Sequence, residues 1–413
     1  MHVVGYAKAR WIRVSVTGIA AALAIALVPA TADAAEQGPG GLEFYSAPAD
    51  LIAGAHGSVI WSRPLSGDPG VAGARNRLVL YRSVDVQGRP VAVSGTVAVP
   101  EGPAPEGGWP LISWSHGTTG VADVCAPSRD TGPDYPAHDY TAQVRATQAR
   151  WVAAGYAVAQ SDYQGLGTGG THGYLIGEAE QRAVADMALA AREVEPGIGD
   201  RWLAMGHSQG GQAAIFADAR AQDWAPRLRL LGAVALAPAS HIGLGVRASA
   251  VATQTGSAQA LGSIGGAVAS FLPLLIRGAQ TVTDIDPARM LTPEAVALLP
   301  QADDRCIGQL REHDSWGGLP AGRVFRADAD ISALTRVLDD NDPSPLPFTS
   351  PLLVAQGGAD ATVTPPATDA MVAQQLLSGR PVRYRGYPGV DHRSVLEASY
   401  SDVLAWVNAR FGR

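Results

Sequence analysis

Gly206-His207-Ser208-Gln209-Gly210 is the single Gly-x-Ser-x-Gly of the chain. It follows the apolar stretch Arg201 to Met205 and opens the alanine-rich stretch Gln209 to Ala221, so the serine falls on a turn between a strand and a helix. Side chains two positions either side of a serine in so tight a turn collide, hence glycine at both. A turn of this kind strains the backbone and exposes the hydroxyl, the setting of a nucleophile. Serine is a poor nucleophile unless a base and an orienting acid activate it. Gly357-Gly358-Ala359-Asp360 follows the strand-like Leu352 to Gln356, and Asp391-His392 follows the strand-like Val382 to Tyr387. The chain order Ser208, Asp360, His392, each just past a strand, is that of a serine–histidine–acid triad. Asp330, Asp339, Asp340 and Asp342 precede the strand instead of following it, and Asp391 is placed to shape the histidine loop.

A developing oxyanion needs two backbone N–H donors. Gln209, directly after the serine, is one. The loop His116-Gly117-Thr118-Thr119-Gly120, after the strand Leu111 to Trp114, supplies the other, with Thr118 chosen ahead of Thr119 and His116 read as structural. Gly165-Leu166-Gly167-Thr168-Gly169-Gly170 fits the dinucleotide pattern G-x-G-x-x-G. Thr171-His172-Gly173-Tyr174 stands where a helix would have to open, and no acidic residue ends a following strand, so no nucleotide cofactor is expected. Neither H-E-x-x-H nor Cys-x-x-Cys spacing occurs, and no metal site is expected.

These residues need a frame. Strand-like segments at 77–84, 90–99, 111–114, 156–160, 201–205, 230–237, 352–356 and 382–387 alternate with helical ones at 140–154, 178–195, 209–221, 366–377 and 395–411. Such alternation predicts a mostly parallel sheet with helices on both faces, the α/β-hydrolase fold. The core spans 71–239 and 349–413. From 240 to 348 the alternation gives way to Ala/Gly- and Leu-rich helical pieces, an inserted helical cap. Within it Leu261, Ile264, Val268, Phe271, Leu272, Leu275 and Ile276 form an apolar stripe that reads equally as core packing or as an acyl-binding wall in contact with lipid. Residues 35–70, rich in Gly, Pro and Ala, are expected to be irregular.

Lys8, Arg10 and Arg13 precede an apolar run from Val14 to Ala30, and Ala32-Asp33-Ala34 offers a small-x-small cleavage site, so residues 1–34 read as a signal peptide of a secreted protein. Two cysteines, Cys125 and Cys306, in an exported chain are expected to pair. With 46% hydrophobic and 17% charged residues the 413-residue chain can bury a large core, and a net charge of −7 gives no electrostatic footprint for nucleic acid.

Gly206 to Gly211 (GHSQGG), Ser161-Asp162-Tyr163-Gln164-Gly165-Leu166-Gly167, Cys125-Ala126-Pro127-Ser128, Gly357 to Asp360 and Asp391-His392 together resemble the secretory lipase family of fungal lipases and their actinobacterial relatives. The likeness runs from about Tyr81 to the C-terminus. It implies hydrolysis of acylglycerols or similar esters through Ser208, His392 and Asp360, under a helical cap. The fungal members carry an acidic pair near Gly117-Thr118-Thr119, which leaves the loop oxyanion donor open by one residue, and a second cysteine pair that this chain lacks. A secreted serine peptidase of the same fold would show the same triad, with Asp303, Asp304, Glu312 and Asp314 available to recognise an amine. A binding protein on an inactive scaffold is disfavoured by three filled triad positions.

Overall fold

Nine strands make one sheet in the computed structural model, which describes residues 1–2, 36–257, 269–348 and 350–413. They are β1 (Val59–Leu65), β2 (Ala74–Val84), β3 (Pro90–Pro100), β4 (Trp109–Ser115), β5 (Ala157–Ser161), β6 (Ile198–His207), β7 (Arg229–Leu236), β8 (Leu352–Gly357) and β9 (Val382–Tyr387). Their spatial order is β1-β2-β3-β5-β4-β6-β7-β8-β9. The pairs β1–β2, β2–β3 and β3–β5 are antiparallel, and every pair from β5 onward is parallel. Parallel neighbours cannot be joined by a tight turn and need a crossover. The helices α1 (His138–Ala153), α2 (Gly177–Val194) and α3 (Gln209–Trp224) are such crossovers; α7 (Pro365–Leu377) and α8 (Tyr400–Phe411) complete the core.

Side chains alternate across a strand. In β8, Leu352 and Val354 pack with α2, α3 and α7, whereas Leu353 and Ala355 pack on the other face with Tyr140, Val144 and Trp151 of α1 and Val403, Trp406 and Phe411 of α8. The sheet is therefore buried on both faces, the condition under which a parallel sheet is stable.

Two expectations are corrected. Residues 35–70 are not wholly irregular: Val59–Leu65 forms β1, with Val59, Ile60 and Trp61 buried. Pro64 is tolerated there because an edge strand needs donors on one side only. The last helix does not run unbroken from 395 to 411. It is interrupted at Ser399, whose hydroxyl donates back to the Val395 carbonyl at 2.6 Å.

Between β7 and β8 lie α4 (Ile242–Gln254), α5 (Leu272–Gln280) and α6 (Ser332–Asp340), with short helical turns between α5 and α6. They share an apolar cluster that includes Leu272, Leu275, Ile276, Trp316, Phe325 and Leu334. Of the apolar stripe, Leu261, Ile264 and Val268 lie outside the described residues, as does the basic–apolar segment at 3–35. Leu272, Leu275 and Ile276 are core, and only Phe271 stays partly open. Cys125 and Cys306 form a disulfide, with Cα atoms 5.5 Å apart. Beside it the Ile307 amide donates to the Thr119 carbonyl at 2.8 Å, so this segment is fastened to the loop after β4. No helix among the described residues is long and apolar enough to cross a membrane.

The N-terminal part is pinned by an ion pair. His56 Nδ1 lies 2.6 Å from Oδ1 of buried Asp186, which also accepts from Ser83 Oγ and Trp224 Nε1. Hydrogen bonding to Asp186 raises the His56 pKa above its ordinary 6.5, against the opposing effect of burial. A raised folded-state pKa contributes stability that is full below 6.5 and is lost as pH rises through the folded value. His56→Ala should therefore lower the melting temperature more at pH 5.5 than at pH 8.5, measured against wild type at each pH. An equal loss at both would show that the contact is packing alone.

Candidate active site

Ser208 sits between β6 and α3 with φ 60° and ψ −118°, a left-handed backbone that a β-carbon resists. Its amide donates to the Leu236 carbonyl at 2.8 Å, which fixes the turn against β7. A β-carbon on Gly206 would strike the Gly210 carbonyl, and one on Gly210 would strike the Ser115 carbonyl at the end of β4. The two glycines thus let α3 start directly on the backbone that leads into the His116 loop. Ser208 is 8% exposed and opens on a cavity of about 390 Å³, shared with Thr118, Tyr140, Phe271, Arg311 and His392.

Asp360 and His392 come from loops after β8 and β9 that are stapled together. Gly358 N–H donates to the Tyr387 carbonyl at 2.8 Å and Ala359 N–H to the Val390 carbonyl at 2.9 Å. Gly357 is required at this crossing, since a β-carbon would meet the Val390 carbonyl. The buried Asp360 carboxylate accepts from the amides of Thr362 and Val363 at 2.8 and 2.9 Å through Oδ1. Its Oδ2 accepts from Gln356 Nε2 at 3.1 Å and from His392 Nδ1 at 2.7 Å. A carboxylate facing Nδ1 requires the proton there, which leaves Nε2 as the bare ring nitrogen.

The loop after β4 reaches the same cavity. Gly117 N–H donates to the Tyr140 hydroxyl at 2.7 Å, so it is already engaged. Thr119 is fully buried and its carbonyl serves Ile307. Thr118 lines the cavity, its amide has no acceptor among the described residues, and its Oγ1 lies 2.8 Å from the Tyr174 hydroxyl. Gln209, at the first helical position, has an amide with no intrahelical partner. His116 is buried, its Nδ1 is 2.7 Å from the Gly117 carbonyl, and burial pushes its pKa down to about 4, as befits a neutral structural ring.

His207 joins these loops, which its place as the variable residue of the serine motif gives no hint of. Its Nε2 donates to the His392 carbonyl at 2.8 Å, so Nδ1 must accept from the Tyr140 hydroxyl at 2.9 Å. Tyr140 in turn accepts from Gly117. Burial holds His207 well below its ordinary pKa, so the chain of donors stays in this order. Tyr140 and His207 are invisible to motif reading because their partners lie 23 to 185 positions away.

The remaining candidates are occupied elsewhere. Asp330 pairs with Arg289 and Asp339 with Arg247, Asp342 accepts from the His241 and Ser344 amides, and Asp340 makes no bond to His392. Asp391 accepts from the amides of Arg393 and Ser394 and shapes the histidine turn. Asp303 pairs with Arg277, Asp314 with Arg305, and neither they nor Asp304 and Glu312 line the cavity. Asp139, which does line it, is paired with Arg393 at 2.9 Å. Arg311 lines it with no carboxylate partner among the described residues, its guanidinium 5.1 Å from the centre of the Phe271 ring. The glycine run at 165–170 forms a loop, not the start of a helix.

Known proteins resemble this chain in sequence and in fold. A family model described as serine aminopeptidase, S33, matches residues 137–399. Lipase A of Moesziomyces aphidis is 30% identical over 232 residues, which cover 53% of this chain and 48% of that one, so the match spans about half of that relative. A Mycobacterium tuberculosis protein named as a probable inactive lipase is 24% identical over 348 residues, 81% of this chain and 73% of that one. Among solved structures, Candida antarctica lipase A in its closed state superposes with a TM-score of 0.68 at 21% identity, over 89% of this chain and 85% of that one. The rice cell wall degrading esterase LipA of Xanthomonas oryzae gives 0.64 at 18%, over 86% and 98%. The fold is that of the α/β-hydrolases, and the resemblance to lipases read from the motifs is borne out.

The contact of Gly210 with β4 makes a direct test. Gly210→Ala should slow labelling of Ser208 by a fluorophosphonate by about 10²-fold, the cost of a misplacement near 1 Å. Gly245→Ala, where a β-carbon meets nothing within 4 Å, is the control. Equal labelling in both variants would show that the close approach does not shape the serine.

Proposed function

The chain belongs to the serine aminopeptidase, S33, family, and within it we propose an exported ester hydrolase that cleaves fatty-acyl esters, a lipase, through Ser208, His392 and Asp360. The observation that carries this reading is the convergence on one cavity of a serine in left-handed backbone and a histidine whose Nδ1 is 2.7 Å from a buried, four-bonded carboxylate. Ser208 Oγ attacks the acyl carbonyl while His392 Nε2 takes its proton. Negative charge that develops on the carbonyl oxygen is met by the amides of Thr118 and Gln209. The imidazolium, steadied by Asp360, then protonates the leaving alcohol, and water releases the acid from the acyl-serine by the same route.

The segment from 240 to 348 acts as the cap. Phe271 supplies apolar wall for the acyl chain, where each buried CH₂ gains about 0.8 kcal/mol. Leu244 and Val251, 60% and 54% exposed and seven residues apart on α4, support transient contact with a lipid interface. The signal-like N-terminus and the Cys125–Cys306 bond support export to an oxidising compartment.

The family description favours a second reading, a peptidase that recognises a free amine. Such a site needs an available carboxylate, and those on this cavity are engaged by Arg393 or by backbone amides, while Arg311 has no carboxylate partner among the described residues. Ester cleavage is the better fit. The reading of a spent scaffold, suggested by the mycobacterial relative's name, would leave the bonded Asp360–His392 pair without a task.

Wild type should hydrolyse p-nitrophenyl acyl esters and leave aminoacyl p-nitroanilides untouched, and Ser208→Ala should cut turnover by about 10⁴-fold or more with the fold intact. A Ser208→Ala protein that keeps more than a few per cent of activity defeats the assignment, and faster anilide than ester cleavage makes it a peptidase. Phe271→Asp should penalise a palmitate ester more than a butyrate ester. Equal loss on both would place the acyl chain elsewhere.

A further inference from the structure

Glu180 and His172 lie behind the serine turn, buried and unused by the steps above. Gln209 Nε2 stands 3.0 Å from His172 Nε2 and 2.8 Å from Glu180 Oε1. The direction of these bonds is set by the neighbours. His172 Nδ1 is 3.0 Å from the Gln164 carbonyl, so it carries the proton and donates. Its Nε2 is then a bare acceptor, and burial, which pushes the His172 pKa down to about 3, keeps the ring neutral. Both side-chain N–H groups of Gln209 are thus held, one by an imidazole nitrogen and one by a carboxyl oxygen. Glu180 Oε1 also accepts from the Leu175 amide at 3.1 Å, while Oε2 has no partner among the described residues. Burial pushes the Glu180 carboxyl up to about 8.

The same cluster reaches the other side of the cavity. The Tyr174 ring packs edge-on against His172, with centroids 6.2 Å apart, and its hydroxyl is the partner of Thr118 Oγ1. Tyr163 stacks on His172 at 5.6 Å with an interplanar angle of 11°. The glycine run gives this ring its place: Gly165 has φ 67°, and a β-carbon there would strike the Thr171 carbonyl. The loop can therefore fold back and set His172 beneath Gln209.

Placing an acid in the interior with one oxygen unpartnered among the described residues is costly, and what its other oxygen holds in return is the Leu175 amide and the Gln209 carboxamide. We propose that Glu180 and His172 are positioning residues, which clamp the Gln209 carboxamide and, through Tyr174, the Thr118 side chain, so that the two amides of the oxyanion site keep a fixed separation. The inference rests on the ester-hydrolase reading and adds the residues that tune its transition-state binding. A donor set held in place in advance stabilises developing charge more than the ground-state carbonyl, so its loss falls on kcat and not on KM.

The test is a double-mutant cycle on a soluble acyl ester, with Glu180→Ala, Gln209→Ala (which keeps the backbone donor) and the pair. Glu180→Ala should lower kcat by about 10- to 100-fold with KM within about twofold, and weaken a trifluoromethyl ketone that mimics the tetrahedral adduct by a similar factor. Glu180→Gln, which keeps the Oε1 acceptor, should recover most of the rate. On the Gln209→Ala background, Glu180→Ala should add less than about threefold. Multiplicative losses, or a change in KM alone, would overturn the proposal. Should Glu180→Ala fail to fold, His172→Phe carries the same comparison with the same outcomes. Absence of ester turnover in wild type, or its survival in Ser208→Ala, is failure of the underlying reading and is told apart from failure of the clamp by that measurement alone.

Discussion

Everything near the cavity is arranged around one backbone crossing, the contact between the first turn of α3 and the last residue of β4. Ser208 is held in a conformation that costs on the order of 1–3 kcal/mol. It persists because its surroundings over-determine it. Its amide is taken by Leu236, and its carbonyl accepts from Gly211, Gln212 and Ala239 at 2.9 to 3.2 Å. With Gly210 pressed on the Ser115 carbonyl, the loop from His116 to Thr118 has one place to go, beside the serine. The strain at Ser208 and the location of the loop after β4 are therefore a single fact of packing.

Two buried hydrogen-bond chains start beside that crossing. One runs from Gly117 through Tyr140 and His207 to the His392 carbonyl. The other runs from Gln209 to His172 and Glu180, with Tyr174 and Thr118 alongside. Each rests on an imidazole kept neutral by burial, because a neutral ring alone can donate at one nitrogen and accept at the other. In a water-poor interior such chains are strong when complete and costly when broken. Groups from β6, α1, α2, α3 and the loops after β4, β5 and β9 are in this way linked within one chain or the other with no direct contact between most of them.

How much of this was legible follows from what each residue depends on. The strand–turn–helix around Ser208 and the strand-then-loop settings of Asp360 and His392 are local patterns, and the period of apolar residues exposes them. The strand Val59–Leu65 was hidden because its Gly- and Pro-rich flanks mimic a loop, and its identity comes from pairing with β2. The interruption at Ser399 has no local signature, since its backbone N–H still bonds to the Val395 carbonyl. Tyr140, Tyr174, His172 and Glu180 carry no motif at all; their roles arise from contacts across the fold, which spacing along the chain does not encode. The run at 165–170 showed the converse: its glycines were visible, but what they permit, a loop folding back under α3, is a property of the tertiary structure.

The segment between β7 and β8 is tied to the rest of the fold at several points besides its chain ends: by Cys306 and the adjacent Ile307 amide, by Asn341 to Gly177 and Gln212, and by the Thr281 carbonyl to Gln87. Two attachments define a hinge axis; fastenings spread off that axis turn a flap into a braced frame. Phe271, Ile307 and Arg311, the face this frame presents to the cavity, make no bond to Ser208, Asp360 or His392. Side chains on that face can thus differ without breaking the hydrogen bonds that join Asp360 to His392. A scaffold divided in this manner lends itself to divergence in substrate range while its chemistry stays put.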